Sequence, residues 1–295
     1  MKTLCLNSHA KLNLFLKVLY KRKDNYHSLA TLFERVSLCD RIVLGLRRDS
    51  RIAISCTDPA VPRDKRNLCW QAGRLLQQET GVKKGAQIKI IKRIPVGAGL
   101  GGGSSNAAAA LLGLNRLWDL KLSREKLLAL AARLGSDAPF FVYGRAFALG
   151  RGRGERIFPL PGLRRVKLWH ILAVPKIHVS TPAIYRRWDR LRAQEAGLTT
   201  ALRNVKIITS ALRRKDYPRL RGLFYNSLQQ ITFKLYPEAG RACRRLNDCG
   251  VEAAMMSGSG SAVFGIASSR REAARIKRML EKEERHWRVF AVATR

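Results

Sequence analysis

Apolar and polar positions alternate from Lys11 to Val18. Leu12, Leu14, Leu16 and Val18 fall on one face, and Lys11, Asn13, Phe15 and Lys17 on the other. The pattern predicts a strand that projects Lys11 and Asn13 to one side, as a solvated edge or toward a ligand. Asp24-Asn25 reads as a turn, with Tyr26 and His27 directly after it. From Arg41 to Ser55 two short apolar strands flank Arg47-Arg48-Asp49-Ser50, which predicts a hairpin. Helical spacing appears at Asn67 to Thr80, stopped by Gly81, and again at Ala107 to Trp118 and Ser123 to Leu134. Ala86 to Ile94 is rich in β-branched residues and predicts a strand. In the second half, strands are expected at Val166 to Val174, Val263 to Ile266 and Trp287 to Val292. Leu191 to Leu220 reads as basic and mostly helical, broken near Asp216-Tyr217-Pro218, and Arg271 to Glu284 as a charged helix.

Between the strand ending at Ile94 and the alanine-rich helix lies Pro95-Val96-Gly97-Ala98-Gly99-Leu100-Gly101-Gly102-Gly103-Ser104-Ser105. Five glycines in seven residues allow positive φ and close approach of backbone to a ligand. Ser104, Ser105 or Asn106 is expected to cap the helix, whose free N–H groups and positive dipole end suit a phosphate. A Walker loop is excluded, because no Lys follows the glycines. Gly97 to Gly102 fits the spacing of a dinucleotide fingerprint, yet the acid near the required distance, Asp119, closes a helix rather than a second strand. Three further stretches carry candidate chemistry. Gly135-Ser136-Asp137-Ala138-Pro139 holds an acid before a proline-started helix, which a plain helix cap also explains. Gly144 to Glu155 is glycine-rich, and Glu252 to Ser261 is a second loop of small residues that a hairpin turn would also produce.

Composition adds three constraints. The 295 residues are 46% hydrophobic with no apolar run near the ~20 residues of a membrane span, and the N-terminus lacks a signal-peptide pattern, so a cytoplasmic protein is expected. The six cysteines form no C-x-x-C pair and read as reduced, structural thiols. Lys and Arg number 57 against 21 Asp and Glu, a net charge of +36. The basic residues are spread, with short clusters at Leu163-Arg164-Arg165-Val166-Lys167 and Arg213-Arg214-Lys215, and no nucleic-acid reading motif accompanies them. Retention on polyanions is expected, but no specific nucleic acid partner. An anionic substrate fits a positive field, although it does not account for the whole excess.

The glycine run resembles the ATP loop of the GHMP kinase superfamily, Pro-x-x-x-Gly-Leu-Gly followed by small residues. Its Gly-Gly-Gly-Ser-Ser-Asn form is similar to the branch acting on 4-diphosphocytidyl-2-C-methyl-D-erythritol. Five motifs occur in that branch's order: Ala10-Lys11-Leu12-Asn13-Leu14, Tyr26-His27, the glycine run, Gly135 to Phe141, and Met256-Ser257-Gly258-Ser259-Gly260-Ser261. The resemblance implies an α+β, two-domain GHMP kinase fold. A ribosomal-protein-S5-like βα domain would occupy residues 1–157 and a ferredoxin-like domain residues 158–295. It implies ATP-dependent phosphorylation of the substrate's tertiary 2-hydroxyl in the non-mevalonate isoprenoid pathway. Lys11 and Asp137 would be catalytic, and Pro95 to Ser105 would hold ATP. Asn13, Tyr26, His27, Thr181 and Tyr185 would bind the cytidine diphosphate sugar alcohol, with Tyr185 stacking on the base. Mg²⁺ is expected with ATP. Its ligands stay undetermined, Ser105 being one candidate. The expected assembly is a monomer or homodimer, with no membrane. Ser227 and Gln229 depart from the family pattern, which carries acids at both positions. Another kinase of the superfamily, or a nucleic-acid-binding protein on a degenerate kinase scaffold, are the rival readings.

Overall fold

The computed structural model describes residues 3–191, 197–220 and 222–295. Residues 192–196 of the expected basic helical stretch lie outside them. The chain forms two compact units, one of Met1–Ala10, Leu38–Val96 and Gly101–Arg145, the other of Lys11–Ser37, Gly97–Leu100 and Ala146–Arg295.

Strands β1 (Thr3–Lys21) and β2 (His27–Arg47) are long, pair with each other and contribute to both units. The turn between them places Asn25 at φ 62°, a left-handed conformation that asparagine tolerates. In the first unit, β3 (Ile52–Cys56) is followed by helix α1 (Leu68–Thr80) and strand β4 (Gly85–Ile91). The expected hairpin around Arg47 to Ser50 does not form. Strand β4 lies between β2 and β3, antiparallel to the former and parallel to the latter. A parallel pair needs a crossover, and α1 supplies it. The turn itself is organised by Asp49, whose carboxylate accepts from Arg47 and Arg51. Asn67 caps α1 by accepting from the Cys69 N–H, and Gly81 ends it at φ 71°. Helices α2 (Gly102–Leu117), α3 (Arg124–Leu134) and α4 (Ala138–Tyr143) complete the unit, α3 capped by Ser123 as its sequence predicts.

In the second unit β5 (Phe147–Gly152) pairs with β2 and with β6 (Arg156–Pro159). Strand β7 (Trp169–Pro175) then leads through α5 (Thr181–Arg190), α6 (Leu198–Arg214), α7 (Tyr217–Leu220), α8 (Gln229–Leu235) and α9 (Pro237–Asp248). Next come β8 (Ala254–Met256), β9 (Val263–Ala267), α10 (Arg270–Glu283) and β10 (Trp287–Ala293). Their antiparallel sheet has the order β10-β7-β9-β8, with α9 and α10 packed on β7, which is a ferredoxin-like arrangement. Leu16, Ile171, Ile184, Leu246, Val263 and Leu280 are among the residues of its core. Among the described residues no helix is long and apolar enough to cross a membrane.

The core of this unit contains a polar chain. Glu34 and His170 are fully buried, Glu34 Oε2 lies 2.9 Å from His170 Nε2, and Thr294 donates to Glu34 Oε1 at 2.6 Å. Glu34→Ala is expected to cost about 3 kcal/mol, since removal of one partner strands a buried polar group. Glu34→Gln, which keeps one acceptor, should cost less. Equal unfolding midpoints for wild type and Glu34→Ala would show that the chain adds nothing to stability.

None of the six cysteines is in a disulfide. Burial pushes the Cys69 thiol up to about 12 and the Cys243 thiol up to about 11. Native-state alkylation should therefore modify exposed Cys5 and spare both of these. Prompt labelling of Cys69 without unfolding would contradict its burial.

Candidate active site

The glycine run leaves the first unit's sheet at an anchored point. Asp40 is fully buried, and its Oδ1 accepts from the Arg93 and Ile94 N–H groups at 2.7 and 2.8 Å. Its Oδ2 accepts from Lys92 Nζ and from Asn106 Nδ2. The chain leaving β4 is thereby tied to Asn106, in the second turn of the helix that follows the run. Sequence reading missed Asp40 and Lys92. An acid inside an apolar strand run was the available signal, because aspartate is depleted in strands.

Along the run, residues alternate between two roles. Gly97, Gly99 and Gly101 have φ of 69°, 76° and 68°, while the Ala98 and Leu100 side chains are buried as pegs. The segment 97–100 is clamped by the second small-residue loop: Ala262 N–H donates to Ala98 O, and Ser257 Oγ donates to Gly99 O. Lys11 N–H donates to Leu100 O. A Cβ on Gly99 would stand 2.2 Å from Ser257 O, so this backbone approach admits glycine alone. The loop Ser257 to Ala262 is the turn of the β8–β9 hairpin, so the turn reading and the clamp are both correct descriptions of it.

Helix α2 starts at Gly102, five residues before the alanine run in which its periodicity begins. The expected side-chain cap does not form: the N-cap is Gly101, which has no side chain to accept from the first turn. Ser105 instead turns inward, accepting from Ser8 Oγ at 2.8 Å, and Asn106 donates to Ser8 and Asp40. Gly102 and Gly103 lie in the helix and need no positive φ. Among the described residues no side chain accepts from the N–H groups of Gly102, Gly103 or Ser104, which suit a phosphate oxygen. Val96, Gly97 and Gly103 are exposed along the run, Ser104 is half-buried, and Pro95 and Ser105 are buried.

Lys11 and Asn13 do not face water, as their strand is buried on both faces. They are 4% and 1% exposed. Lys11 Nζ donates to Asn13 Oδ1, Asn13 Nδ2 donates to Thr31 Oγ1 at 2.8 Å, and Thr31 Oγ1 donates to Phe15 O. This relay fixes the amide orientation of Asn13. The ammonium also borders the second loop, where a Cβ on Gly258 would lie 3.5 Å from Lys11 Nζ. In the first unit, Asp137 is the residue before α4, but its side chain makes no capping hydrogen bond. The simple cap reading of this acid therefore does not hold.

Tyr26 is exposed, with the Arg153 guanidinium 4.8 Å over its ring. His27 is 8% exposed and stacks on Tyr185, the ring centroids 4.6 Å apart. Two stacked layers need about 7 Å, so no base fits between these rings. Trp188 meets His27 edge-on, and Asp189 Oδ1 lies 2.7 Å from His27 Nε2. Thr181 Oγ1 lies 2.7 Å from Ser259 Oγ, joining α5 to the second loop. Sequence reading named Tyr185 but not Trp188 or Asp189, although their spacing puts all three on one helical face.

The two positions that depart from the family's acids keep their acceptors. Ser227 Oγ accepts from Val18 N–H at 3.0 Å, and Gln229 Oε1 accepts from Met256 N–H at 2.9 Å. Neutral oxygens thus serve the backbone there. Among the described residues no group of three or more His, Cys, Asp or Glu could hold a metal ion.

Known proteins resemble this chain over most of its length. The family "GHMP kinases N terminal domain" matches residues 67–145, and "GHMP kinases C terminal" matches residues 208–286. The 4-diphosphocytidyl-2-C-methyl-D-erythritol kinase of Shouchella clausii is 42% identical over 92% of this chain and 88% of its own. That of Gloeobacter violaceus is 40% identical over 96% of this chain and 92% of its own. A crystal structure of 4-(cytidine 5'-diphospho)-2C-methyl-D-erythritol kinase superposes with a TM-score of 0.79 at 35% identity, covering 99% of this chain and all of that one.

Proposed function

We propose, from the premise that this chain belongs to the 4-diphosphocytidyl-2-C-methyl-D-erythritol kinase family of the GHMP kinases, that it transfers the γ-phosphoryl of ATP to the 2-hydroxyl of that family's namesake substrate. The observation that carries the reading is the run of left-handed glycines leading into the uncapped start of α2. Such backbone accepts phosphate oxygens and rejects side chains.

In this reading the Lys11 ammonium stabilises charge on the transferring phosphoryl, and Asn13, held by Lys11 and Thr31, orients the acceptor. Asp137 orients the hydroxyl or accepts its proton. The cytosine stacks on Tyr185 or Tyr26, with the His27 edge and Thr181 as polar partners. Mg²⁺ accompanies ATP and neutralises charge between β- and γ-phosphates. Bound with ATP, it would draw on phosphate and water oxygens, as Mg²⁺ commonly does. The Ser105 hydroxyl, engaged by Ser8, is a poor candidate for it. The enzyme works in the cytoplasm, in the non-mevalonate isoprenoid pathway, as a monomer or homodimer.

The test is a coupled ADP-release assay with four acceptors: the cytidine substrate, mevalonate, homoserine and galactose. Turnover with the first alone is expected. Faster turnover with another acceptor would move the chain to a different activity of the superfamily.

A further inference from the structure

Helix α5 carries Tyr185, Trp188 and Asp189 at positions i, i+3 and i+4, on one face. That face closes on a single ring. Tyr185 stacks on His27, Trp188 meets it edge-on, and Asp189 Oδ1 is 2.7 Å from its Nε2. The other carboxylate oxygen is 3.3 Å from Lys21 Nζ. Burial works to raise the pKa of Asp189, but hydrogen bonds from His27 and Lys21 outweigh it and hold the carboxyl below its ordinary value. An ionised carboxylate only accepts, so Nε2 carries the hydrogen in this contact. No described residue bonds to the opposite ring nitrogen, Nδ1. In a neutral ring whose Nε2 is protonated, Nδ1 is an acceptor.

We propose that Asp189 is a positioning residue that presents His27 Nδ1 as a hydrogen-bond acceptor and so makes the pocket select cytosine over uracil. The proposal rests on the cytidine reading above. Cytosine carries an amine donor at the position where uracil carries a carbonyl acceptor, so the Nδ1 lone pair attracts one base and repels the other. The Tyr185 stack blocks one face of His27, which leaves its edge for the base. Lys21 holds the far side of the carboxylate and keeps it ionised and aimed at Nε2.

Two measurements test this. Nitrogen-15 NMR of the wild-type protein reads the His27 tautomer without any substrate; a ring protonated at Nε2 alone is expected. Steady-state kinetics with the cytidine substrate and its uridine counterpart read the selection. Wild type should favour cytidine, and Asp189→Asn should lower that preference at least about tenfold, because the amide can turn its NH₂ to the ring and reverse the tautomer. The loss should appear in KM for the cytidine substrate and not in KM for ATP, which a merely structural role would not separate. A wild-type ring protonated at Nδ1, or an unchanged preference in folded Asp189→Asn, overturns the proposal. If Asp189→Asn fails to fold, the wild-type tautomer decides. A wild type with the expected tautomer that turns over neither nucleotide contradicts the cytidine reading and removes the selection with it.

Discussion

Asp137→Asn is expected to lower turnover by about three orders of magnitude while ATP still binds. A positioned carboxylate that accepts or orients the hydroxyl proton is worth roughly 10²–10⁴ in rate, and asparagine cannot accept a proton at neutral pH. The substitution is nearly isosteric. It removes no cap, because the Asp137 side chain makes none to α4. Unfolding should stay cooperative and shift far less than turnover falls, which separates a chemical role from a structural one. Turnover within about threefold of wild type would remove Asp137 from the chemistry, since general acid–base groups matter far more than that.

Gly101→Val should abolish nucleotide binding and leave unfolding cooperative. Gly101 is the N-cap of α2 at φ 68°, where a β-branched residue is a steric outlier. The valine must either strain the turn or rotate it, and both redirect the first-turn N–H groups away from a phosphate. Gly102 provides the contrast. It has ordinary helical φ, and a Cβ there would meet the Ile94 side chain at 3.1 Å and Lys92 Nζ at 3.2 Å. Gly102→Ala is accordingly expected to cost modest stability and to weaken nucleotide binding less than Gly101→Val. Both variants need a nucleotide titration on folded protein. Wild-type affinity in folded Gly101→Val would take the glycine run out of the site.

Local pattern carried most of the secondary structure. The Leu12 to Val18 alternation marked β1, and Asn67, Gly81 and Ser123 marked helix ends that the fold uses. It failed where the deciding partner is remote. The alternation left Lys11 and Asn13 as either a solvated edge or a ligand-facing pair, and it is Thr31 of β2, completing a buried relay around them, that rules out the edge. The hairpin after Arg47 gave way because β4, beyond an entire helix, takes the place between the strands. Asp40 serves backbone more than fifty residues later, and Asp189 reaches His27 across 162 residues; no periodicity encodes either contact. The start of α2 was misplaced for a different reason. Glycine and serine are weak helix formers, and their helical turn is held by Asp40 and Ser8 rather than by propensity.

The site of phosphorylation is the claim on which the functional account turns, and phosphorus-31 NMR of the product reads it directly. The 2-carbon is tertiary, so a phosphate on its hydroxyl has no hydrogen three bonds away. Wild-type protein with ATP, Mg²⁺ and the cytidine substrate should yield one new monoester resonance without three-bond proton splitting, beside an intact diphosphate. A new resonance split by protons would place the phosphate on a primary or secondary hydroxyl, and release of inorganic phosphate alone would mean that no acceptor is phosphorylated; either result contradicts the account.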